Sequence, residues 1–236
     1  MNKGGTAIVN QSPLPNRQGC LLGRDFHLKK ISRCMKSVKA ITKERGKDMT
    51  KVTLIVGANS LSSRLNGLVA YAQQVLFEYK IQTQVIQVHM LPAEALMTAD
   101  YTDKTIQAVN QQVLNSDGVL VFTPIFQGSY SGILKAYLDV LPKKALQDKV
   151  VYGLGLGGSK HHLLALQYAL EPVLKELGTE ELLQSTFATQ DQVVEDGRDF
   201  IIEDSVTNRI DEQLYRFTSR IGHEVIKEEV RWEKIV

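Results

Sequence analysis

Hydroxyl, guanidinium and amide side chains crowd one ten-residue segment, Gly57 to Asn66 (GANSLSSRLN), which is called the first loop below. Ser62, Ser63, Arg64 and Asn66 supply its donors, just where a helical pattern begins. Donors beside the positive end of a helix can bind a phosphate without a metal ion. The same pattern also suits a serine that caps the helix among solvated neighbours. The segment therefore predicts either an anion site or a capped helix.

The second loop (123–130) turns sharply after an apolar run. Val119 to Phe122 suits a strand covered on both faces, and we expect Thr123-Pro124 to end it because proline lacks an amide donor and fixes φ. Gly128 and Gly132 then let the backbone approach a flat ligand. Apolar residues at helical spacing follow, so a helix is expected that stops at Pro142. Such turns bind ligands in open α/β sheets.

The third loop (155–162) is rich in glycine. Gly153 to Gly158 (GLGLGG) matches the dinucleotide-binding string G-x-G-x-x-G. It follows the fourth predicted strand rather than the first, and the acid expected at the end of the next strand has no clear counterpart, so we reject that fingerprint. Gly157, Gly158 and Ser159 instead offer backbone amides to a planar ring.

Several other chemistries do not fit the residues present. The segment from Gly128 to Gly132 resembles the hydrolase elbow G-x-S-x-G, but Tyr130 occupies the position of the nucleophile. No phosphate-loop string G-x-x-x-x-G-K-[ST] occurs in the chain. His161 and His162 are adjacent, so their rings point apart on a helix and they are poor joint metal ligands. We expect them at the start of a helix, at the rim of the site.

Alternating strands and helices must position these loops. Strand patterns at 51–57, 82–88, 118–122, 150–156 and 181–188 alternate with helix patterns at 65–79, 105–114, 131–141, 163–177 and 205–229. This alternation predicts an α/β fold with a doubly wound, five-stranded parallel sheet in the flavodoxin-like order 2-1-3-4-5. The carboxyl ends of parallel strands share one rim, so the three loops are expected to converge.

The first 48 residues differ from the rest in charge. They carry eleven Lys and Arg against three Asp and Glu, a net charge of +8, which leaves −6 for residues 49–236 because the whole chain is +2. We expect 1–48 to be a disordered leader or an upstream extension, with at most a short helix near 26–45. An organelle transit peptide has a similar composition and is an alternative interpretation of this segment. The flavodoxin-like domain is expected at 49–236.

The acidic domain also limits the classes of partner. Its net negative charge is unfavourable for binding nucleic acid or an anionic membrane. The sequence has no run of about 18 apolar residues that would span a bilayer. Both cysteines, Cys20 and Cys34, precede residue 49, so a disulfide framework or a thiol mechanism in the domain is excluded. A cytoplasmic location is expected.

One long stretch resembles a known family. Thr123 to Pro142 (TPIFQGSYSGILKAYLDVLP) and Ala145 to Val151 (ALQDKVV) carry the likeness, and Gly157-Gly158, HLLA at 162–165, YAL at 168–170 and PVL at 172–174 continue it. From about Thr50 to about Phe217, the chain resembles the NADPH-dependent FMN reductases of the flavodoxin-like fold. Within that family it is similar to the reductase component of two-component alkanesulfonate monooxygenases.

The resemblance implies that FMN binds at the rim and is reduced by NADPH. The implied cofactor-binding residues are Ser62, Ser63, Arg64 and Asn66 at the phosphate, Thr123, Pro124, Ile125, Phe126 and Gln127 along the ribityl chain and ring, and Gly157, Gly158 and Ser159 at the ring's polar edge. Tyr130 matches the position at which the sulfonate-linked reductases insert a tyrosine into a helix, forming a π-bulge at a tetramer interface that tunes how FMN is held. An ordinary packed aromatic is the alternative for this residue.

The first loop departs from the family pattern. Family members typically open it with Gly-Ser-x-Arg, whereas this chain has Gly57-Ala-Asn-Ser60. A hydroxyl and a guanidinium are missing, and Arg64 replaces them only in part. Weak FMN affinity is therefore expected, which suits an enzyme that releases reduced FMN to a partner monooxygenase.

The implied chemistry needs no acid, base or nucleophile, so no catalytic side chain is assigned. A homodimer or homotetramer is expected. Two rival functions stay open: a reductase that keeps its FMN and reduces quinones, azo dyes or metal oxyanions, and a flavodoxin-like electron carrier. Flavin that survives gel filtration would favour the first rival. Failure to oxidise NADPH with saturating FMN would favour the second.

Overall fold

The computed structural model describes residues 49–197 and 199–222. These residues fall within one compact unit of the chain, 40–226. The predictions for the leader 1–48 and for its short helix and two cysteines lie outside the described residues, as do residues 223–229 of the predicted C-terminal helix. Within the described residues this helix already ends at Arg220, and Gly222 has φ +81°, so its predicted end at 229 is wrong.

The bounds of the elements follow the predicted alternation closely. The strands are β1 (Lys51–Val56), β2 (Gln82–Gln87), β3 (Gly118–Phe126), β4 (Ser129–Tyr130), β5 (Val150–Gly157), β6 (Glu181–Thr189), β7 (Val193–Asp196) and β8 (Asp199–Ile202). The α-helices are α1 (Leu65–Glu78), α2 (Ala93–Met97), α3 (Lys104–Leu114), α4 (Gly132–Asp139), α5 (Leu163–Ala165), α6 (Glu171–Glu176) and α7 (Asp204–Arg220). A π-helical turn, Leu166–Leu170, joins α5 to α6, and 3-10 turns occupy Val88–Met90, Lys160–His162 and Gln190–Gln192.

The five longer strands form a parallel sheet in the order β2-β1-β3-β5-β6. With the short β4 left out of the count, this is the order 2-1-3-4-5, so the predicted flavodoxin-like topology is confirmed. Each parallel connection crosses over through helix, which leaves the carboxyl ends of the strands together at one rim.

Both faces of the sheet are covered. In β1, Leu54 and Val56 pack in the same cluster as Phe217 of α7, whereas Ile55 packs in a second cluster with Ile106 of α3. Successive side chains of a strand point to opposite faces, so one apolar strand can serve both layers. The rim therefore rests on a sheet that is held from two sides.

β3 runs four residues past its predicted end. The carbonyl of Phe122 accepts from the amide of Gly57 at 2.8 Å, so the backbone polar groups of Phe122 point toward β1. The backbone nitrogen of Pro124, two residues further along the strand, points to the same side. Pairing with β1 has already ended at Val56, so no partner there requires the amide that proline lacks. The prediction that Thr123-Pro124 ends the strand is wrong for this reason.

An antiparallel hairpin that the sequence reasoning did not predict follows β6. Strands β7 and β8 pair from Val193 opposite Ile202 to Asp196 opposite Asp199. Phe200 lies on the first turn of α1, where a Cβ added to Gly67 would come within 2.7 Å of its Cγ. Four-residue strands are too short to show a clear alternating pattern.

Candidate functional site

Three loops meet at the rim of the sheet. Ser131, just after the second loop, donates its hydroxyl to the carbonyl of Gly57 in the first loop at 2.7 Å. A Cβ added to Gly157 in the third loop would lie 3.3 Å from the Cβ of Ile125 in the second. The predicted convergence of the three loops is therefore confirmed.

The serines of the first loop divide between two roles. The hydroxyl of Ser63 accepts from the amide of Leu65 at 3.3 Å, at the start of α1. The hydroxyl of Ser62 is exposed and lies 3.0 Å from that of Ser60. Ser63 thus bonds the first residue of the helix, but the N-cap position is Arg64 and no side chain caps the helix, so the serine-cap alternative is wrong, while Ser62 is open to a ligand.

Arg64 and Asn66 both contact main-chain carbonyls. The exposed Arg64 donates through Nη1 to the carbonyl of Gln190, just after β6, at 3.0 Å. Asn66 donates through Nδ2 to the carbonyls of Ser60 at 3.3 Å and Leu61 at 2.9 Å. A guanidinium has five N–H donors, so Arg64 retains some for a ligand, whereas Asn66 turns its amide group toward its own loop.

Side chains of the second loop differ in exposure. Those of Thr123 to Ile125 are buried, and Thr123 accepts from the amide of Ser131 at 3.0 Å through its hydroxyl. Phe126 is 51% exposed, and Gln127 is exposed as well. Of the five residues expected along a ribityl chain and ring, Phe126 and Gln127 are the ones whose side chains reach the surface.

A tight reversal lies at the tip of the second loop. Gln127 has φ +48° and Gly128 has φ +75°, which is the pattern of a two-residue hairpin turn. The turn pairs β3 with β4. A Cβ added to Gly128 would meet nothing within 4 Å, so the backbone there borders open space.

Tyr130 does not lie in a helix. It belongs to β4, opposite Ile125, and is half-buried, which raises the pKa of its hydroxyl. Helix α4 begins only at Gly132, with Ser131 as N-cap accepting from the amide of Leu134 at 3.4 Å. The prediction of a π-bulge at Tyr130 is wrong, because a hairpin turn precedes this residue and a helix cap follows it.

The π-helical turn occurs 36 residues later, at Leu166–Leu170. Tyr168 lies within it and is 78% exposed. The buried leucines 166, 170 and 174 recur every four residues, a spacing that an ordinary α-helix also shows, so the sequence carries no distinct signal for this turn. Tyr168, to which the sequence assigned no role of its own, is therefore the tyrosine that lies in a π-helical turn.

The two glycines of the third loop have contrasting surroundings. A Cβ added to Gly157 would lie 2.8 Å from Nδ1 of His162 and 3.1 Å from Cζ of Phe187, whereas one added to Gly158 would meet nothing within 4 Å. Ser159 then accepts from the amide of His161 at 3.4 Å at the start of a 3-10 turn. The prediction that the two histidines stand at the start of a helix is confirmed.

An open cleft of about 290 Å³ lies between the second and third loops. The cleft is lined by Gly128, His161, His162, Leu164, Ala165, Tyr168 and Ala169. His162 packs edge-on against Phe187 with ring centroids 6.4 Å apart, and its buried Nδ1 lacks a hydrogen-bond partner within the described residues. Apart from the histidines, the lining is small or apolar, which suits a flat organic ligand.

Two further properties concern metal ions and membranes. In residues 49–197 and 199–222, no group of three or more His, Cys, Asp or Glu is arranged to hold a metal ion. Over the same ranges, none of the helices has the length and apolar character that crossing a membrane would require.

Comparisons with known proteins agree on a family. A family model described as NADPH-dependent FMN reductase matches residues 50–193. The FMN reductase (NADPH) of Pseudomonas putida is 41% identical over 142 residues, covering 60% of this chain and 72% of that protein. The FMN reductase (NADPH) of Escherichia coli is 36% identical over 145 residues, covering 61% and 76%.

A solved structure gives the same result. The apo form of the NADH:FMN oxidoreductase EMOB matches with a TM-score of 0.65 and 33% identity, over 75% of this chain and 92% of that chain. The sequence resemblance is thus confirmed: the chain belongs to the NADPH-dependent FMN reductase family.

Proposed function

We propose that this protein transfers hydride from NADPH to FMN and releases the reduced flavin. One observation carries the proposal: a donor-bearing loop at the start of α1 and the open backbones of Gly128 and Gly158 border the same rim, in a chain of the FMN reductase family. The two relatives at 41% and 36% identity are both named for NADPH, which supports that reductant.

The residues present fit FMN at both of its ends. Gly128 and Gly158 leave space in which a flat ring can approach the backbone. The exposed hydroxyl of Ser62 and guanidinium of Arg64 lie where α1 begins, and a helix N-terminus favours a phosphate. We assign the phosphate end of FMN to this loop and the ring to Phe126, Gln127 and the third loop.

The protein's part in the reaction is to bind and orient. When bound, FMN supplies the redox chemistry, since its ring takes a hydride from the nicotinamide while solvent provides a proton, giving NADP⁺ and reduced FMN. Phe126 and the backbone of Gly158 would fix the plane of the ring. Leu164 and Tyr168, which are 50% and 78% exposed at the cleft, would exclude water from it.

The same exposed pair supports assembly. Large apolar side chains clustered at a surface commonly mark an interface. Within this proposal, Leu164 and Tyr168 contact a second copy, so that the enzyme is a homodimer or homotetramer. The altered first loop makes FMN a loosely held substrate, passed on to an FMNH₂-dependent monooxygenase. Because NADPH is an intracellular metabolite, we place the enzyme in the cytoplasm.

NADPH oxidation by flavin-stripped protein, with and without added FMN, tests the proposal. We expect activity that requires added FMN and that disappears after desalting. Activity with flavin retained through desalting would contradict the role as a flavin supplier and favour a quinone, azo-dye or metal-oxyanion reductase. An absence of NADPH oxidation with saturating FMN would contradict the proposal as a whole and favour an electron carrier.

A further inference from the structure

Side chains from outside and inside the first loop hold three of its carbonyls. Nδ1 of His89 donates to the carbonyl of Ala58 at 3.1 Å, and this nitrogen must carry the proton because a carbonyl can only accept. Asn66 donates to the carbonyls of Ser60 and Leu61 at 3.3 Å and 2.9 Å. Each bond fixes the direction of one peptide plane in the loop.

The direction of those carbonyls fixes the direction of the amides beside them. In a planar trans peptide the C=O and N–H bonds point in opposite directions, and the described residues have no cis peptide bond. The amides of Asn59, Leu61 and Ser62 therefore point away from His89 and Asn66. Among the residues that the structure describes, none of these three amides has a hydrogen-bond acceptor.

The side chains that hold the loop are themselves attached to the sheet. Gln87 donates through Nε2 to Oδ1 of Asn66 at 3.4 Å. Gln87 ends β2 and pairs with Val56 of β1, and His89 follows in the 3-10 turn after β2. The end of β2 and the turn that follows it thus contact both Asn66 and Ala58.

We propose that Asn66, His89 and Gln87 are positioning residues, which turn the amides of Asn59, Leu61 and Ser62 toward the phosphate of FMN. The inference rests on the function proposed above. It replaces the expectation that Asn66 binds the phosphate, because both donors of its amide group are already used by the loop. Backbone amides oriented together bind anions in many proteins.

This arrangement also accounts for the departure at Gly57-Ala-Asn-Ser60. Where the family pattern supplies a hydroxyl and a guanidinium, this chain supplies neutral amides, with Arg64 as the nearby cation of the loop. Hydrogen bonds to a charged group are strong only when the donors are held in place. Losing a positioning residue should therefore weaken the binding of phosphate and leave the rest of the flavin unaffected.

Binding of FMN and of riboflavin, which lacks the phosphate, separates this role from a merely structural one. Flavin fluorescence titration should show that Asn66→Ala and His89→Ala each raise the Kd for FMN about tenfold while the Kd for riboflavin changes less than about twofold. His89→Asn keeps a donor near the position of Nδ1, so it should restore FMN affinity to within about threefold of wild type.

Two glutamines provide the matched control. Gln87 bonds Asn66, and Gln73 bonds Thr83, each at 3.4 Å and each between α1 and β2. Gln87→Ala should weaken FMN binding selectively, whereas Gln73→Ala should change neither Kd. Equal loss of FMN and riboflavin in the Asn66 and His89 variants, or no loss of FMN binding, would overturn the inference.

A second readout needs no variant. Inorganic phosphate added to ¹⁵N-labelled wild-type protein should shift the amide resonances of Asn59, Leu61 and Ser62. If phosphate shifts none of them while FMN still binds, the inference fails and the proposed function stands. If the wild-type protein binds neither flavin, the proposed function fails and the inference fails with it.

Discussion

Nδ1 of His162 lies 2.8 Å from the position that a Cβ would occupy on Gly157. The edge of the imidazole therefore rests directly on the backbone at the end of β5, and Phe187 meets the same ring edge-on. Only glycine fits at this point. The next residue, Gly158, borders open space. Packing against neighbouring side chains thus requires glycine at 157, whereas at 158 glycine leaves room beside the backbone.

Gly157→Ala should destabilise the fold. The added methyl group would contact His162 at 2.8 Å, Phe187 at 3.1 Å and Ile125 at 3.3 Å, so buried groups from three elements must shift. Overpacking of this kind costs about 1–3 kcal/mol of unfolding free energy, which urea denaturation would measure. A variant as stable as wild type would show that the third loop relaxes freely.

Gly158→Ala is the matched control, because its methyl group meets nothing within 4 Å. Its unfolding free energy should stay within about 0.5 kcal/mol of wild type. Its affinity for FMN and riboflavin should fall together, since the methyl group enters the space assigned to the ring. Unchanged affinity for both flavins would remove Gly158 from the proposed site.

Tyr168→Ala tests the π-helical turn and the proposed assembly. The side chain is 78% exposed, so its loss should leave the stability of the isolated chain within about 0.5 kcal/mol. Sedimentation velocity should show smaller species than for wild type, because the proposed contact with a second copy is lost. Phe77→Ala, at an equally exposed aromatic on α1, should leave assembly unchanged. Identical sedimentation of the Tyr168 variant and wild type would contradict the proposed interface.

The sheet was predictable from the sequence because its signals are local. The parallel strands show apolar or alternating patterns, the helices have periodic apolar faces, and the two kinds of element alternate along the chain, which together predict the sheet. The end of β3 was not predictable in this way. Whether Pro124 breaks a strand depends on where β1 stops, and that is a relationship between residues 68 positions apart, Val56 and Pro124.

The site was predictable as a set of loops but not as a set of contacts. The sequence predicts that the side-chain amide of Asn66 binds a ligand, but in the structure this amide donates to the carbonyls of Ser60 and Leu61. Nothing near Ala58 in the sequence indicates that His89 reaches it from the turn after the edge strand β2. Likewise, only the structure shows that Tyr130 lies in a strand of a hairpin and Tyr168 in a π-helical turn.

Ser131→Ala should weaken the fold at the junction of two loops. The buried hydroxyl donates to the carbonyl of Gly57 at 2.7 Å and accepts from the amide of Leu134 as the cap of α4. Loss of both bonds should lower the unfolding free energy by about 1–3 kcal/mol. Ser129→Ala, in the adjacent strand β4 and half-buried, should change it by less than about 0.5 kcal/mol. Equal effects of the two substitutions would contradict the role of Ser131 as a link.

Asp211 should make stability fall as the pH rises through the acid range. Asp211 is exposed, but partial loss of solvent around its carboxyl raises the pKa, with the hydrogen bond from Tyr71, at 2.8 Å, opposing the shift and Glu78 adding to it. The folded chain therefore binds the proton more tightly than the unfolded chain, whose aspartates titrate near about 3.9. Stability is highest below that pH and is lost as Asp211 ionises above it.

Asp211→Asn should consequently raise the melting temperature at pH 7, because the amide oxygen still accepts from Tyr71 and the partly desolvated charge is removed. The difference from wild type should shrink as the pH falls toward about 4. Asp100 gives the opposite sign, since hydrogen bonds from Thr102 lower its pKa, so its contribution is present above about 3.9 and is lost in acid. Asp100→Asn should thus lower the melting temperature at pH 7 and converge on wild type in acid. A melting temperature that drops at pH 7 in Asp211→Asn would show that the ionised carboxylate is stabilised at this site rather than penalised by partial desolvation.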